Sequence, residues 1–170
     1  MSPGAPGTDD TAPRYHIISG AAAYAQHLRE LAAAAHVSML IFTHDLDQRI
    51  YGGEEFIDAL KKFILQNRRA NLRVIIHSPG LAMRRGHRLV ELGRALSSRI
   101  EFRELPEQYQ SLIEEYAIAD QRGGLYKEYY GDLESQWHEH DPLFARERLR
   151  AFDTLWPECV PARELRDLRL

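Results

Sequence analysis

Cysteine is almost missing from this chain: Cys159 stands alone among 170 residues. One thiol closes no internal disulfide and makes no paired-cysteine metal spacing, so packing must hold the fold. Long apolar runs are missing as well. The longest, "MLIF" with its neighbours, is about five residues, far short of the roughly 20 that a membrane helix needs. The opening "MSPGAPGTDDTAP" has neither the basic start nor the hydrophobic stretch of an export signal. Together these absences predict a cytoplasmic protein with no membrane span.

Acidic residues are far outnumbered by basic ones in one segment. Between positions 61 and 103 there are two, Glu91 and Glu101, against eleven basic residues: Lys61, Lys62, Arg68, Arg69, Arg73, Arg84, Arg85, Arg88, Arg94, Arg99 and Arg103. The net charge of -3 hides this segregation. Two readings follow. The commoner is a pair of amphipathic helices with solvated basic faces; the sharper is a continuous positive face that attracts phosphate or nucleic acid.

What is present is enough for one domain. A hydrophobic content of 44% over 170 residues supports a single core. Residues 1–13, rich in Pro, Gly, Thr and Asp, read as a disordered tail, leaving residues 14–170 as the domain. "RYHIIS" predicts an edge strand. Ser19 is then expected to cap a helix over 20–35 that buries Tyr24, Leu28, Leu31 and Ala35. "VSMLIFT" (37–43) and "LRVIIHS" (72–78) are continuous β-prone runs, as in strands buried on both faces. A helix over about 54–68 separates them, burying Phe56, Leu60, Phe63 and Ile64. Another over about 83–97 turns Leu89, Leu92 and Leu96 inward, with Arg84, His87, Arg88 and Glu91 outward. "RIEFREL" supplies a third strand.

The stretch "SLIEEYAIADQRGGLYKEYYG" (111–131) predicts a hairpin with its turn at Gly123-Gly124. A polar stretch follows, and then Asp141 and Pro142 open a helix carrying Ala145, Leu149, Phe152 and Trp156 on one stripe, stopped by Pro157. The expected class is α/β: a mostly parallel central sheet with an antiparallel hairpin, flanked by helices.

This order resembles one half of a phospholipase D superfamily enzyme, whose hairpin strand bears His-x-Lys-x-x-x-x-Asp. Placing Asp120 on the motif Asp puts Ile113 where the nucleophilic His belongs and Glu115 where the phosphate-holding Lys belongs. Isoleucine has no lone pair to attack phosphorus, and a carboxylate repels phosphate. The resemblance therefore implies a pseudoenzyme, with no cofactor. More narrowly, "GHRLVELGRALSSRIEFRE", "ADQRGGLY" and the ending "ARELRDLRL" resemble a small bacterial family of single phospholipase D-like domains. Domains of this sort sit behind acetyltransferase domains in some proteins, which implies a protein partner. Half-site members of the superfamily commonly pair, but with the site lost that reason for an oligomer goes too.

In such a fold ligands approach the carboxyl ends of the parallel strands. The candidate cleft there gathers His44, Asp45, Arg84, Arg85, His87 and Asp120, with Asp47 and His77 as neighbours. Arg84 and Arg85 at a helix start suit an anion, and His87 would be the substitute nucleophile if chemistry has been relocated. Each residue also has an ordinary reading. His87 would be an incidental surface histidine, Asp45 and Asp47 turn acceptors, and Asp120 an acceptor for nearby backbone amides. The spacing in "WHEHD" (137–141) matches no common helical zinc motif, so no metal is assigned. Tyr126, Tyr129 and Tyr130 read as cross-strand packing or as a platform for stacked bases.

Overall fold

A computed structural model describes residues 14–81 and 86–162. Among these residues eight strands form one sheet: β1 (His16–Ser19), β2 (Ser38–Thr43), β3 (Asn71–Ile76), β4 (Ile100–Glu104), β5 (Glu115–Ala119), β6 (Gly123–Lys127), β7 (Glu134–His138) and β8 (Val160–Pro161). Their spatial order is β1-β7-β6-β5-β2-β3-β4-β8. The parallel part is β2-β3-β4, connected through helices, and every other ladder is antiparallel. The sheet is thus mixed, with its parallel strands confined to the segment where helices separate them.

Helices cover both faces. On one lie α1 (Ala21–Ala34), the single turn α2 (Gln48–Tyr51), α3 (Glu54–Gln66) and α4 (Arg88–Ala95); on the other lies α5 (Pro142–Leu155). Alternation along the strands divides the core accordingly. Met39 and Ile41 of β2, with Leu72, Val74 and Ile76 of β3, meet Tyr24, Leu28, Leu60, Phe63 and Leu89. Leu40, Phe42, Ile75, Tyr116 and Ile118 meet Ala145 and Phe152. Truncating a residue as buried as Phe152 would cost about 3–5 kcal/mol. No described helix is long and apolar enough to cross a membrane.

Local chemistry explains where the sequence-based expectations shift. Gly20, not Ser19, occupies the N-cap of α1, because the chain turns there with φ at 93°. The hairpin between β5 and β6 turns through Asp120 and Gln121, both at positive φ, which Asp tolerates. Gly123 and Gly124 lie inside β6 instead. A Cβ at Gly123 would strike the His138 carbonyl oxygen of β7, and one at Gly124 the Ala117 carbonyl oxygen of β5, so these glycines allow three strands to approach. The polar stretch before α5 contains β7, whose Ser135 and Trp137 point inward while Glu134 is exposed. Helix α4 begins at Arg88, and the part of the expected helix holding Arg84 and Arg85 falls outside the described residues.

Among the described residues, the basic ones of segment 61–103 do not form one continuous face. Arg99 turns inward and donates to the Ile64 carbonyl in the last turn of α3 and to the Asn67 and Ala70 carbonyls after it. Arg73 and Arg103 lie under α5, paired with Asp153 at 2.8 Å and stacked on Trp156 at 4.1 Å respectively. The groove of about 460 Å³ between α3 and α4 mixes Lys61 and Arg88 with Glu54, Asp58 and Glu91.

Candidate functional site

Two parallel strands end side by side, each in a histidine. His44 follows β2 and His77 follows β3, held in step by His77 N–H donating to the Thr43 carbonyl at 2.9 Å and Ser78 N–H to the His44 carbonyl at 2.7 Å. Their rings are 4.6 Å apart. His77 is tied down by the Gln110 carbonyl at 2.9 Å from Nε2 and the Ser78 hydroxyl at 3.1 Å from Nδ1. The His44 ring stacks flat on Tyr130, centroids 3.6 Å apart, and its Nδ1 is buried without a partner. Burial, and secondarily repulsion from His77, lowers the His44 pKa and keeps the ring neutral near pH 7.

Beside them β5 begins. Because it runs antiparallel to β2, with Phe42 opposite Tyr116, its first residue, Glu115, lies next to Thr43. The Glu115 carboxylate accepts from the Thr43 hydroxyl at 2.5 Å and from the His44 amide at 3.0 Å. Lys127 is its cross-strand partner on β6, buried like Glu115, and its ammonium sits 5.0 Å from the centre of the Tyr24 ring. Burial pushes the Glu115 pKa up to about 7; the Thr43 hydroxyl, the His44 amide and the Lys127 charge oppose that rise. Tyr24 and Tyr51 are fully buried nearby, and burial plus the Glu115 charge raises both phenols far above their ordinary range.

A chain of bonds leads onward. Thr43 also accepts from the Leu46 amide at 3.2 Å, holding a turn in which Leu46 adopts φ 53°. The Leu46 carbonyl in turn accepts from His87 Nε2 at 2.8 Å. His87 Nδ1 accepts from the Leu89 amide at 3.1 Å, so the ring is a neutral N-cap for α4 with both nitrogens engaged. Burial lowers its pKa. This corrects the outward placement expected for His87, which is 3% exposed.

The predicted cleft is only partly assembled. His44, His77 and the half-buried Asp45 share the strand-end surface. Asp47 caps α2 and chelates Arg49, which lowers its pKa. Arg84 and Arg85 lie outside the described residues. Asp120 is at the opposite end of the sheet, because β5 runs back along β2 and finishes beside its start. Its carboxylate accepts from the amides of His36, Val37 and Ser38 at 2.6–2.9 Å, the backbone-acceptor reading. Among the described residues no three His, Cys, Asp or Glu side chains are gathered as for a metal; His138 of "WHEHD" is instead bonded to Asp141 and Gln136. Of the three tyrosines, Tyr126 packs against Tyr116 and Phe144, while Tyr130 stacks on His44 and Tyr129 lies against Tyr130. The contribution of Lys127 was not anticipated; its alternation with Leu125 along β6 was the available signal.

Comparison with known proteins follows this geometry. Residues 20–168 match the family described as "Domain of unknown function (DUF7931)". No curated protein matches the sequence. Among solved structures, NucT from Helicobacter pylori superposes with a TM-score of 0.59 at 9% identity, covering 86% of this chain and 98% of NucT. The phosphatidylserine synthase of Haemophilus influenzae Rd KW20 gives 0.60 at 14%, covering 82% of this chain and 36% of the synthase. TrmBL2, an archaeal chromatin protein with a novel mode of DNA binding, gives 0.62 at 12%, covering 91% of this chain and 57% of TrmBL2. This chain therefore spans little more than half of TrmBL2 and about a third of the synthase. NucT and the synthase are phospholipase D superfamily proteins, and the fold here is phospholipase D-like.

Proposed function

This chain belongs to the DUF7931 family, and we propose that within it the chain acts as a non-catalytic phospholipase D-like module, a cytoplasmic binding or regulatory domain rather than a phosphodiesterase. The carrying observation is Glu115. Where the superfamily motif calls for a lysine facing phosphate, this chain has a carboxylate 4% exposed and bonded to Thr43 and the His44 amide. That carboxylate can neither attract phosphate nor be reached by it. Ile113, at the nucleophile position, is 42% exposed and offers no attacking atom. A relocated nucleophile at His87 finds little support, since both its nitrogens serve the backbone.

Purified protein incubated with bis(4-nitrophenyl) phosphate is expected to release no nitrophenol above the buffer rate. Turnover that disappears on His44→Ala, His77→Ala or His87→Ala would overturn the proposal.

A second reading is anion or nucleic-acid binding through the basic segment 61–103. It is favoured by the excess of eleven basic over two acidic residues there, and the DNA binding of TrmBL2 makes nucleic acid a reasonable first probe. A protein partner, such as an attached acetyltransferase domain, would instead bind without steep salt dependence.

A further inference from the structure

The basic segment holds one group of cations for which the fold has no internal use. Lys61, Lys62, Arg68 and Arg69 are all exposed, on the last turns of α3 and the loop after it. No side-chain partner for any of the four is found among the described residues. Cations near a helix C-terminus ordinarily serve its unpaired carbonyls. Here Arg99 already does so, donating to the Ile64, Asn67 and Ala70 carbonyls. The four remaining charges are therefore surplus to the stability of α3.

The loop presenting them is fixed. Asn67 donates to the His36 carbonyl at 3.1 Å and accepts from the Arg69 amide at 3.0 Å, so Arg68 and Arg69 project from an ordered backbone. Asn71, which donates to the Arg69 carbonyl, lines a depression of about 680 Å³ that also carries the exposed hydroxyl residues Ser97 and Ser98 and two carboxylates, Glu101 and Asp153, each paired with an arginine. Cations beside hydroxyl and amide donors are the groups that contact a nucleic-acid backbone.

We infer that this face, at the sheet end opposite His44 and Glu115, binds the phosphate backbone of nucleic acid without reading its sequence. A planar anionic membrane is the competing polyanion, and Leu65, 72% exposed among these cations, is the residue it would use. The arrangement of α3 disfavours it. Glu54, Glu55 and Asp58 are on the same helix, and Asp58 is about 10 Å along the axis from Leu65 at 1.5 Å per residue. A plane resting on Leu65 along the helix would bring the Asp58 carboxylate within about a Debye length of its charge. A phosphate strand can cross the C-terminal end alone.

The inference gives a location and a ligand to the second reading above, and its readout is retention of an oligonucleotide, separate from phosphodiester turnover. Binding of the full chain to a labelled 20-base-pair duplex and to the corresponding single strand is measured from about 20 to 200 mM salt. With four phosphate contacts, log K should fall against log salt with a slope of about -3 to -4 for the duplex. Lys62→Glu/Arg68→Glu/Arg69→Glu should weaken binding at least tenfold and leave a slope of about -1, whereas Leu65→Ser should change affinity less than about twofold. Circular dichroism checks that the variants remain folded. Unchanged affinity in the triple variant, a flat salt response, or binding confined to phosphatidylglycerol vesicles and lost on Leu65→Ser would each overturn the inference.

Discussion

Glu115 carries the most distinctive chemistry of any single residue here, and its effect on stability has a definite sign. Burial raises its pKa from 4.5 to about 7. A proton held more tightly by the folded than by the unfolded chain stabilises the fold. That stabilisation is full below about pH 4.5 and is lost as pH rises through about 7. At 1.36 kcal/mol per pH unit, the loss over this window is about 3 kcal/mol. His44 and His87 act in the opposite direction: with pKa values lowered by burial, they contribute stability above about pH 6.5 that is lost in acid. Glu115→Gln keeps the shape without the titration, so urea unfolding at a series of pH values should show the decline between pH 4.5 and 7 flattened. A variant whose profile follows that of the unmodified protein would contradict this account of the carboxylate.

Among elements, the hairpin β5–β6 depends most on its side chains being absent. Gly124 lies where a methyl group would strike the Ala117 carbonyl, so Gly124→Ala must either push β6 away or break the ladder. A loss of at least about 3 kcal/mol, read from the denaturation midpoint or as failure to accumulate soluble protein, is the expected result. A variant as stable as the parent would mean that the strand can shift freely. The hairpin also marks where the sequence was legible and where it was not. β2, β3, α3 and α5 announced themselves through long apolar periods, as in Phe56, Leu60, Phe63 and Ile64. β7 did not, because its inward positions are Ser135 and Trp137 within an otherwise polar run. At the candidate site, the histidines ending β2 and β3 follow from parallel strands placing their ends together. Asp120 was misplaced because grouping it with them ignored the reversal of β5, which carries its last residues to the far end.

At the scale of the whole molecule, the order β1-β7-β6-β5-β2-β3-β4-β8 interlaces the two ends of the chain. The first strand lies against β7, the last against β4, and the middle of the sheet is sealed where residues 39–42 meet 116–119. The early segment from β1 to β4 and the later one from β5 to β8 therefore each hold an outer strand of the other, so neither can come apart while its counterpart stays whole. Melting should be a single cooperative event, and the two tryptophans report on it from different sides. Trp137 belongs to the core under α1, Trp156 to the packing of α5. Proteins retaining only one of them, through Trp156→Phe or Trp137→Phe, should each show one fluorescence transition coinciding with loss of circular dichroism; transitions that separate would mean that the two layers melt independently. The interlacing thus makes the domain an all-or-none unit, with no looser half to fray before the rest.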